Sequence, residues 1–119
     1  MPDERILIVR VSGEGERAAF KPDLDDAVPG QPLAVNPGDL VIWKNGTGQP
    51  HWPWPLDENE SLMDEQSART ARKYLTNGIA PDHVSNPRYV VPAGPMTIVY
   101  GCRFHGDDAR ERGRIVIAP

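Results

Sequence analysis

The chain has 119 residues, the size of one ordinary domain, and thirteen Lys and Arg against seventeen Asp and Glu leave a formal charge of −4. This mild acidity gives no electrostatic reason to bind nucleic acid or an anionic membrane. Eleven Gly and thirteen Pro are about a fifth of the chain, where ~12% is usual, and both residues break helices. The composition therefore excludes a mostly helical protein, while 39% apolar residues exclude a disordered tail.

The first part of the chain contains short β-prone runs separated by turn residues. The predicted strands here cover residues 6–9, 18–20, 33–35 and 40–43. Pro37 and Gly38 lie between the last two runs and favour a type II turn. A loop then leads to His51, and in the following segment Trp52 and Trp54 each precede a proline, so we expect extended or polyproline-like backbone there.

The segment Asp57–Leu75 has the only helical pattern in the chain. Its apolar stripe is thin, so we expect a helix on the surface of the protein. Ser61 with Asp64 resembles a capping box, and the pair Asn77-Gly78 is a natural stop. The order of charges along the segment, acidic first and basic last, complements the helix dipole.

Further strands follow this helical segment. They are predicted at residues 89–91, 96–102 and 114–118. In the second of them Ile98, Tyr100 and Cys102 share one face, and a polar loop over 106–112 precedes the last strand. Several short strands separated by turns predict an all-β fold, a sandwich or barrel forming a single domain over 1–119, with a helical insertion at about 57–80.

Cys102 is the only cysteine, so it is a free thiol, a metal thiolate or an intermolecular partner. No apolar run approaches the ~18 residues that span a bilayer, and we expect no membrane span. The first residues carry neither a basic patch nor an apolar segment. We therefore expect a cytoplasmic protein as the sequence stands, or a periplasmic or extracellular one if an export signal was removed.

Three residues with metal-ligating side chains lie at the ends of predicted strands. Cys102 and His105 are separated by two residues across a strand end, and His51 comes from a distant loop. An antiparallel sandwich can bring such loops together at one end. One thiolate and two imidazoles in a plane form the trigonal core of a blue-copper site.

Two blocks of sequence resemble the cupredoxin family of copper proteins. The first runs from Val35 to Asn45 with a loop to His51, and the second contains the segments 89–94, 100–105 and 113–117. The resemblance implies a Greek-key β-sandwich, copper (Cu²⁺/Cu⁺) as the cofactor, one-electron transfer, and a redox partner protein. It also implies that His51, Cys102 and His105 are the equatorial ligands.

The sequence departs from this family at the axial ligand. Family members usually have a Met two residues before the glycine that opens the last strand, whereas Glu111 occupies that position here and no Met follows Met96. Glu111 is therefore the candidate axial ligand, with Asp107 and Asp108 behind it. A carboxylate favours Cu(II), which predicts a lowered potential, and the set resembles that of nitrosocyanin, a red-copper cupredoxin.

Other interpretations of these residues remain open. Cys102 can be a buried core thiol, and Glu111 can be part of a solvated charged loop. His83 fits an ordinary loop residue, and Met63 fits a packing position on the predicted helix. We expect an electron carrier rather than an enzyme. The alternatives are a red-copper site that binds or turns over a small molecule, and a zinc-binding or metal-free interaction domain.

Overall fold

Two four-stranded sheets form the protein in the computed structural model, which describes residues 5–13, 19–105 and 111–119. In chain order the elements are β1 Ile6–Ser12, β2 Ala19–Pro22, β3 Pro32–Val35, β4 Leu40–Asn45, β5 Pro53–Pro55, α1 Glu65–Thr70, β6 Tyr89–Val90, β7 Met96–Cys102 and β8 Arg112–Ile117. The strand order is β2-β1-β4-β6 in one sheet and β3-β8-β7-β5 in the other. The predicted all-β sandwich is confirmed.

From β2 to β7 consecutive strands alternate between the sheets, whereas β1–β2 and β7–β8 are antiparallel pairs within one sheet, so parallel pairs occur beside antiparallel ones. β1 lies parallel to β4, and β3 lies parallel to β8. β7 pairs antiparallel with both β8 and β5. This arrangement brings the loop after β4, the end of β7 and the start of β8 to one end of the sandwich, where all the candidate ligands lie.

The core between the sheets is organised around Tyr100 of β7. Its ring makes edge-to-face contacts with Phe20 and Trp43, at centroid distances of 5.0 and 5.7 Å. The Trp43 indole N–H donates to the Tyr100 hydroxyl at 3.2 Å, so the buried hydroxyl has a partner. Gly113 of β8 lies under the same ring, and a Cβ there would come within 2.2 Å of Tyr100 Cζ. The core thus holds β7 rigidly just before Cys102.

The helix is much shorter than the sequence predicts. It covers only Glu65–Thr70, and its N-cap is Asp64, whose carboxylate accepts from the backbone N–H of Ser67. The predicted Ser61 cap is therefore wrong, as is the helical position of Met63. The preceding residues form turns instead, because the Asp57 carboxylate accepts from the backbone N–H groups of residues 59 and 61.

The helix also ends earlier than the Asn77-Gly78 stop. Lys73 N–H donates to Ala68 O at 2.8 Å and Arg72 N–H donates to Arg69 O at 3.1 Å, which is the Schellman pattern. Arg72 has the left-handed conformation that this motif requires, with φ 60°. The chain then runs without regular structure to β6.

The remaining boundaries shift by a few residues. The Trp-Pro segment pairs with β7 as the short strand β5, and β8 begins at Arg112 rather than at Arg114. β2 begins at Ala19, and Ala18 lies outside the described residues. The turn at Pro37 and Gly38 is as predicted, with Gly38 at φ 90°. In the described ranges, no helix is both long and apolar enough to cross a membrane.

Candidate metal centre

His51 is held in a loop that is fixed from both sides. The Asn45 side chain, at the end of β4, donates to the carbonyls of Gln49 at 2.8 Å and Ile79 at 3.1 Å. His51 and Ile79 also exchange two backbone hydrogen bonds, at 2.8 and 3.1 Å. The imidazole is fully buried. The loop therefore presents this ring in one orientation.

Cys102 is the last residue of β7, and its side chain is fully buried on the face predicted from the alternation of residues. Its sulfur accepts a hydrogen bond from the backbone N–H of Trp52 at 3.5 Å. A single 3₁₀ turn, Arg103–His105, then carries the second imidazole back to the sulfur. The His105 side chain keeps 29% of its surface exposed. The site thus has one ligand candidate that faces solvent.

The three predicted equatorial residues meet in space. One nitrogen of each imidazole and the Cys102 sulfur lie within 4.8 Å of one another. His51 Nδ1 is 3.7 Å from Cys102 Sγ. A shared ion with bonds of about 2.0 Å to nitrogen and about 2.3 Å to sulfur, opening at about 120°, places these two atoms about 3.7 Å apart. The donor set therefore fits a trigonal metal ion.

Burial favours the neutral forms of Cys102 and His51 in the protein without metal. Desolvation raises the pKa of the Cys102 thiol above its usual value, and the nearby Glu111 carboxylate adds to the increase. The pKa of His51 is lowered mainly by desolvation and to a smaller extent by the charge of His105. A metal ion that takes the thiolate must therefore displace a proton.

Glu111 lies beside this set although it is not one of the three clustered residues. Its side chain is fully buried, and its Oε2 is 3.4 Å from His105 Nδ1. It is therefore not part of a solvated loop. Asp107 and Asp108 lie outside the described residues. His83 is an exposed loop residue whose Nδ1 lies 2.7 Å from Pro81 O, and it takes no part in the site.

A cation on two indole rings borders the site and was not expected from the sequence. The Arg103 guanidinium lies 4.7 Å from the ring centroid of Trp52 and 4.1 Å from that of Trp54. The backbone N–H of Arg103 also donates to Trp52 O at 2.8 Å. These contacts fix Trp52, whose backbone N–H donates to the Cys102 sulfur. No sequence signal indicates these cation–π contacts, because Arg103 lies far from Trp52 in the sequence.

Solved structures with the same strand arrangement identify the fold. A purple cupredoxin from Nitrosopumilus maritimus aligns with 97% of this chain and 100% of its own, at 15% identity and a TM-score of 0.59. The chain has the cupredoxin fold. An amicyanin variant in the Cu(I) state aligns over 99% of this chain and 86% of its own, at 20% identity and a TM-score of 0.55. Auracyanin A, a blue copper protein from Chloroflexus aurantiacus, aligns over 95% and 99%, at 19% identity and a TM-score of 0.53.

No protein-family model matches the chain, and no curated protein matches its sequence. The cupredoxin resemblance drawn from the sequence is nevertheless confirmed at the level of the fold. The fold, together with the cluster of His51, Cys102 and His105, supports copper as the cofactor. Soft thiolate and imidazole ligands suit both oxidation states of copper.

Proposed function

We propose that this protein binds one copper ion through His51, Cys102 and His105 and transfers single electrons. The observation that carries the proposal is the 3.7 Å separation of His51 Nδ1 and Cys102 Sγ within a buried three-donor cluster. When bound, copper would supply a one-electron couple. The protein itself would hold the ligand side chains in fixed positions, so that they would move little when the copper ion changes its oxidation state.

The surface beside His105 fits the transfer of an electron to or from a redox partner. Phe104 is 52% exposed and lies next to the partly exposed His105. An apolar residue beside a ligand gives a partner protein a place to exclude water close to the metal. We therefore propose that a partner docks on this end of the sandwich.

Glu111 is proposed as the axial ligand. Its carboxylate is buried and lies within 3.4 Å of His105 Nδ1, so it faces the set of ligands rather than solvent. A cupric ion bound by the three clustered residues would attract this carboxylate strongly, because both are shielded from solvent. An anionic donor in this position favours Cu(II) and lowers the reduction potential.

Visible absorption of the copper-loaded protein tests the ligand set. The native protein should show an intense thiolate-to-copper band, and Cys102→Ser should abolish it. His83→Ala, which removes an exposed histidine outside the cluster of three, is the matched control and should keep the band. A Cys102→Ser protein that retains the band contradicts the assignment. Metal analysis of the protein purified without added metal shows whether zinc takes the site instead.

A second candidate function is the binding of a small molecule at the metal. A cavity of about 140 Å³ is lined by Gln49, Pro50, Phe104 and His105, so it borders a proposed ligand. This volume admits a small anion or nitric oxide. Addition of azide or nitric oxide should shift the visible band if the copper has an open position. An unchanged spectrum leaves electron transfer as the function.

A further inference from the structure

A chain of aromatic rings leads away from Cys102 on the side of the insertion. The Trp52 and Trp54 rings meet edge to face at a centroid distance of 5.2 Å, and Trp54 meets Tyr74 in the same way at 5.5 Å. The backbone N–H of Trp52 reaches Cys102 Sγ at 3.5 Å. These contacts connect the proposed metal ligand continuously to Tyr74, which is half-buried at the surface.

Hydrogen bonds hold each of these rings in place. The Trp52 indole N–H donates to Thr76 O at 2.7 Å, and the Trp54 indole N–H donates to Met63 O at 2.6 Å. The Tyr74 hydroxyl donates to the side-chain oxygen of Asn77 at 2.6 Å. Rings fixed at van der Waals contact give strong, persistent electronic coupling, which loosely packed side chains do not.

A cavity of about 420 Å³ opens where this chain of rings ends. Its lining consists of Arg69, Arg72, Tyr74, Tyr89, Val90, Val91 and Pro92. The two arginines are its only charged lining residues among those described. Arg69 is also paired with Glu65 at 3.3 Å on the exposed side of the helix. The size suits a small molecule, and the guanidinium groups favour an anion.

Arg72 has a left-handed backbone conformation, which is unfavourable for a residue that carries a Cβ. It is the residue after the helix C-cap and has a φ of 60°, a conformation in which glycine is strongly preferred. Its carbonyl oxygen accepts from the Tyr89 hydroxyl at 2.6 Å, which ties the arginine to the opposite wall of the cavity. The Schellman motif accounts for this backbone conformation, and the arginine adds a positive charge to the lining of the cavity.

We propose that this cavity binds a small anionic one-electron carrier and that Tyr74, Trp54 and Trp52 connect it electronically to Cys102. The inference rests on the proposed copper function. With copper bound, one electron would pass from the cuprous site to the anion, which would be reduced by one unit while the site would become cupric. No bond forms or breaks, no proton moves, and the electron tunnels through the rings without oxidising them. This route is separate from the one through His105.

The binding half of the proposal is tested without metal. Hexacyanocobaltate(III), a redox-inert anion, is titrated calorimetrically into the metal-free protein. Arg72→Gly should weaken binding by about tenfold, the effect of losing one charge-assisted hydrogen bond. Glycine suits the local backbone, so this variant should fold. Arg88→Gln removes an exposed charge outside the cavity and is the control. Equal affinity of native protein and Arg72→Gly, or no binding at all, would overturn the cavity assignment.

The electron path is tested with the anion of the same charge that can accept an electron, hexacyanoferrate(III). The reduced copper protein is mixed with saturating oxidant, and recovery of the visible band is followed by stopped flow. Tyr74→Leu should slow oxidation, whereas Tyr74→Phe, which keeps the ring, should not. His83→Ala removes an exposed side chain that lines neither this cavity nor the one beside His105, and it should leave the rate unchanged.

The outcomes separate this inference from the function it rests on. An unchanged rate in Tyr74→Leu, or an equal loss of rate in His83→Ala, refutes the aromatic path while the copper assignment stands. A protein that takes up no copper refutes the proposed function and the path together. The calorimetric result still decides whether the cavity binds anions.

Discussion

Replacing Glu111 with Gln should raise the reduction potential of the copper protein by about 100–200 mV. The carboxylate is fully buried and 3.4 Å from His105 Nδ1, so solvent screens it little. Two unit charges about 4 Å apart interact by about 4 kcal/mol at an effective dielectric constant near 20. For one electron, each tenfold change in equilibrium is about 59 mV and 1.4 kcal/mol, so the full interaction corresponds to roughly 170 mV. The sign is positive because the lost charge stabilises Cu(II) more than Cu(I).

A redox titration of native and Glu111→Gln protein measures this shift. Glu65→Gln removes an exposed carboxylate on the helix, and its potential should match that of the native protein because solvent screens that charge. A displaced visible band in Glu111→Gln would indicate direct coordination, whereas a shifted potential with an unchanged band would indicate a nearby charge that is not a ligand. An unchanged potential refutes the electrostatic reasoning altogether.

Three further predictions concern stability, each measured by urea denaturation. Gly113→Ala should cost about 3 kcal/mol or more, because the new Cβ would lie 2.2 Å from Tyr100 Cζ in a rigid core, and a variant of native stability would contradict that packing. Asp39→Asn should cost about 1–3 kcal/mol at pH 7, since the carboxylate accepts two hydrogen bonds from Arg5 that hold the pKa of Asp39 below its usual value. This stability is fully present above the unfolded pKa of about 4 and is lost as the pH falls through the lower folded pKa, so native protein and variant should converge in acid. Arg72→Gly should raise stability by about 0.5–1 kcal/mol through relief of the left-handed backbone, and a loss would mean that contacts of this arginine outweigh the strain.

The sequence correctly predicted those features that depend only on residues close together in the chain. The alternation in β7 correctly places Cys102 on the buried face, and the spacing of Cys102 and His105 correctly predicts that both reach the end of a strand. His51 was a candidate from its position in a loop after a predicted strand, and the family resemblance supported it, although nothing nearby in sequence indicates that this loop meets β7. The coordinating role of Glu111 stays a prediction.

The helix was overpredicted because tertiary partners compete with helix propensity. The Asp57 side chain caps a turn, and Glu60 takes the left-handed conformation, with φ 58°. The carbonyl of Met63 accepts from the Trp54 indole. Charge order and apolar spacing cannot reveal such partners, because they report helical periodicity and not individual hydrogen bonds between side chains and the backbone. The contact of the Trp54 ring with Tyr74 could not be predicted either, because the two residues lie far apart in sequence.

The indole N–H groups of Trp52 and Trp54 have a practical consequence for protein engineering. Each is satisfied by a carbonyl of the insertion, at Thr76 and Met63. Shortening the chain between Leu56 and Ile79 to make a minimal scaffold would leave these two indole donors unpaired, at a cost of about 1–3 kcal/mol each. A trimmed version of this protein therefore has to exchange both tryptophans at the same time as the loop.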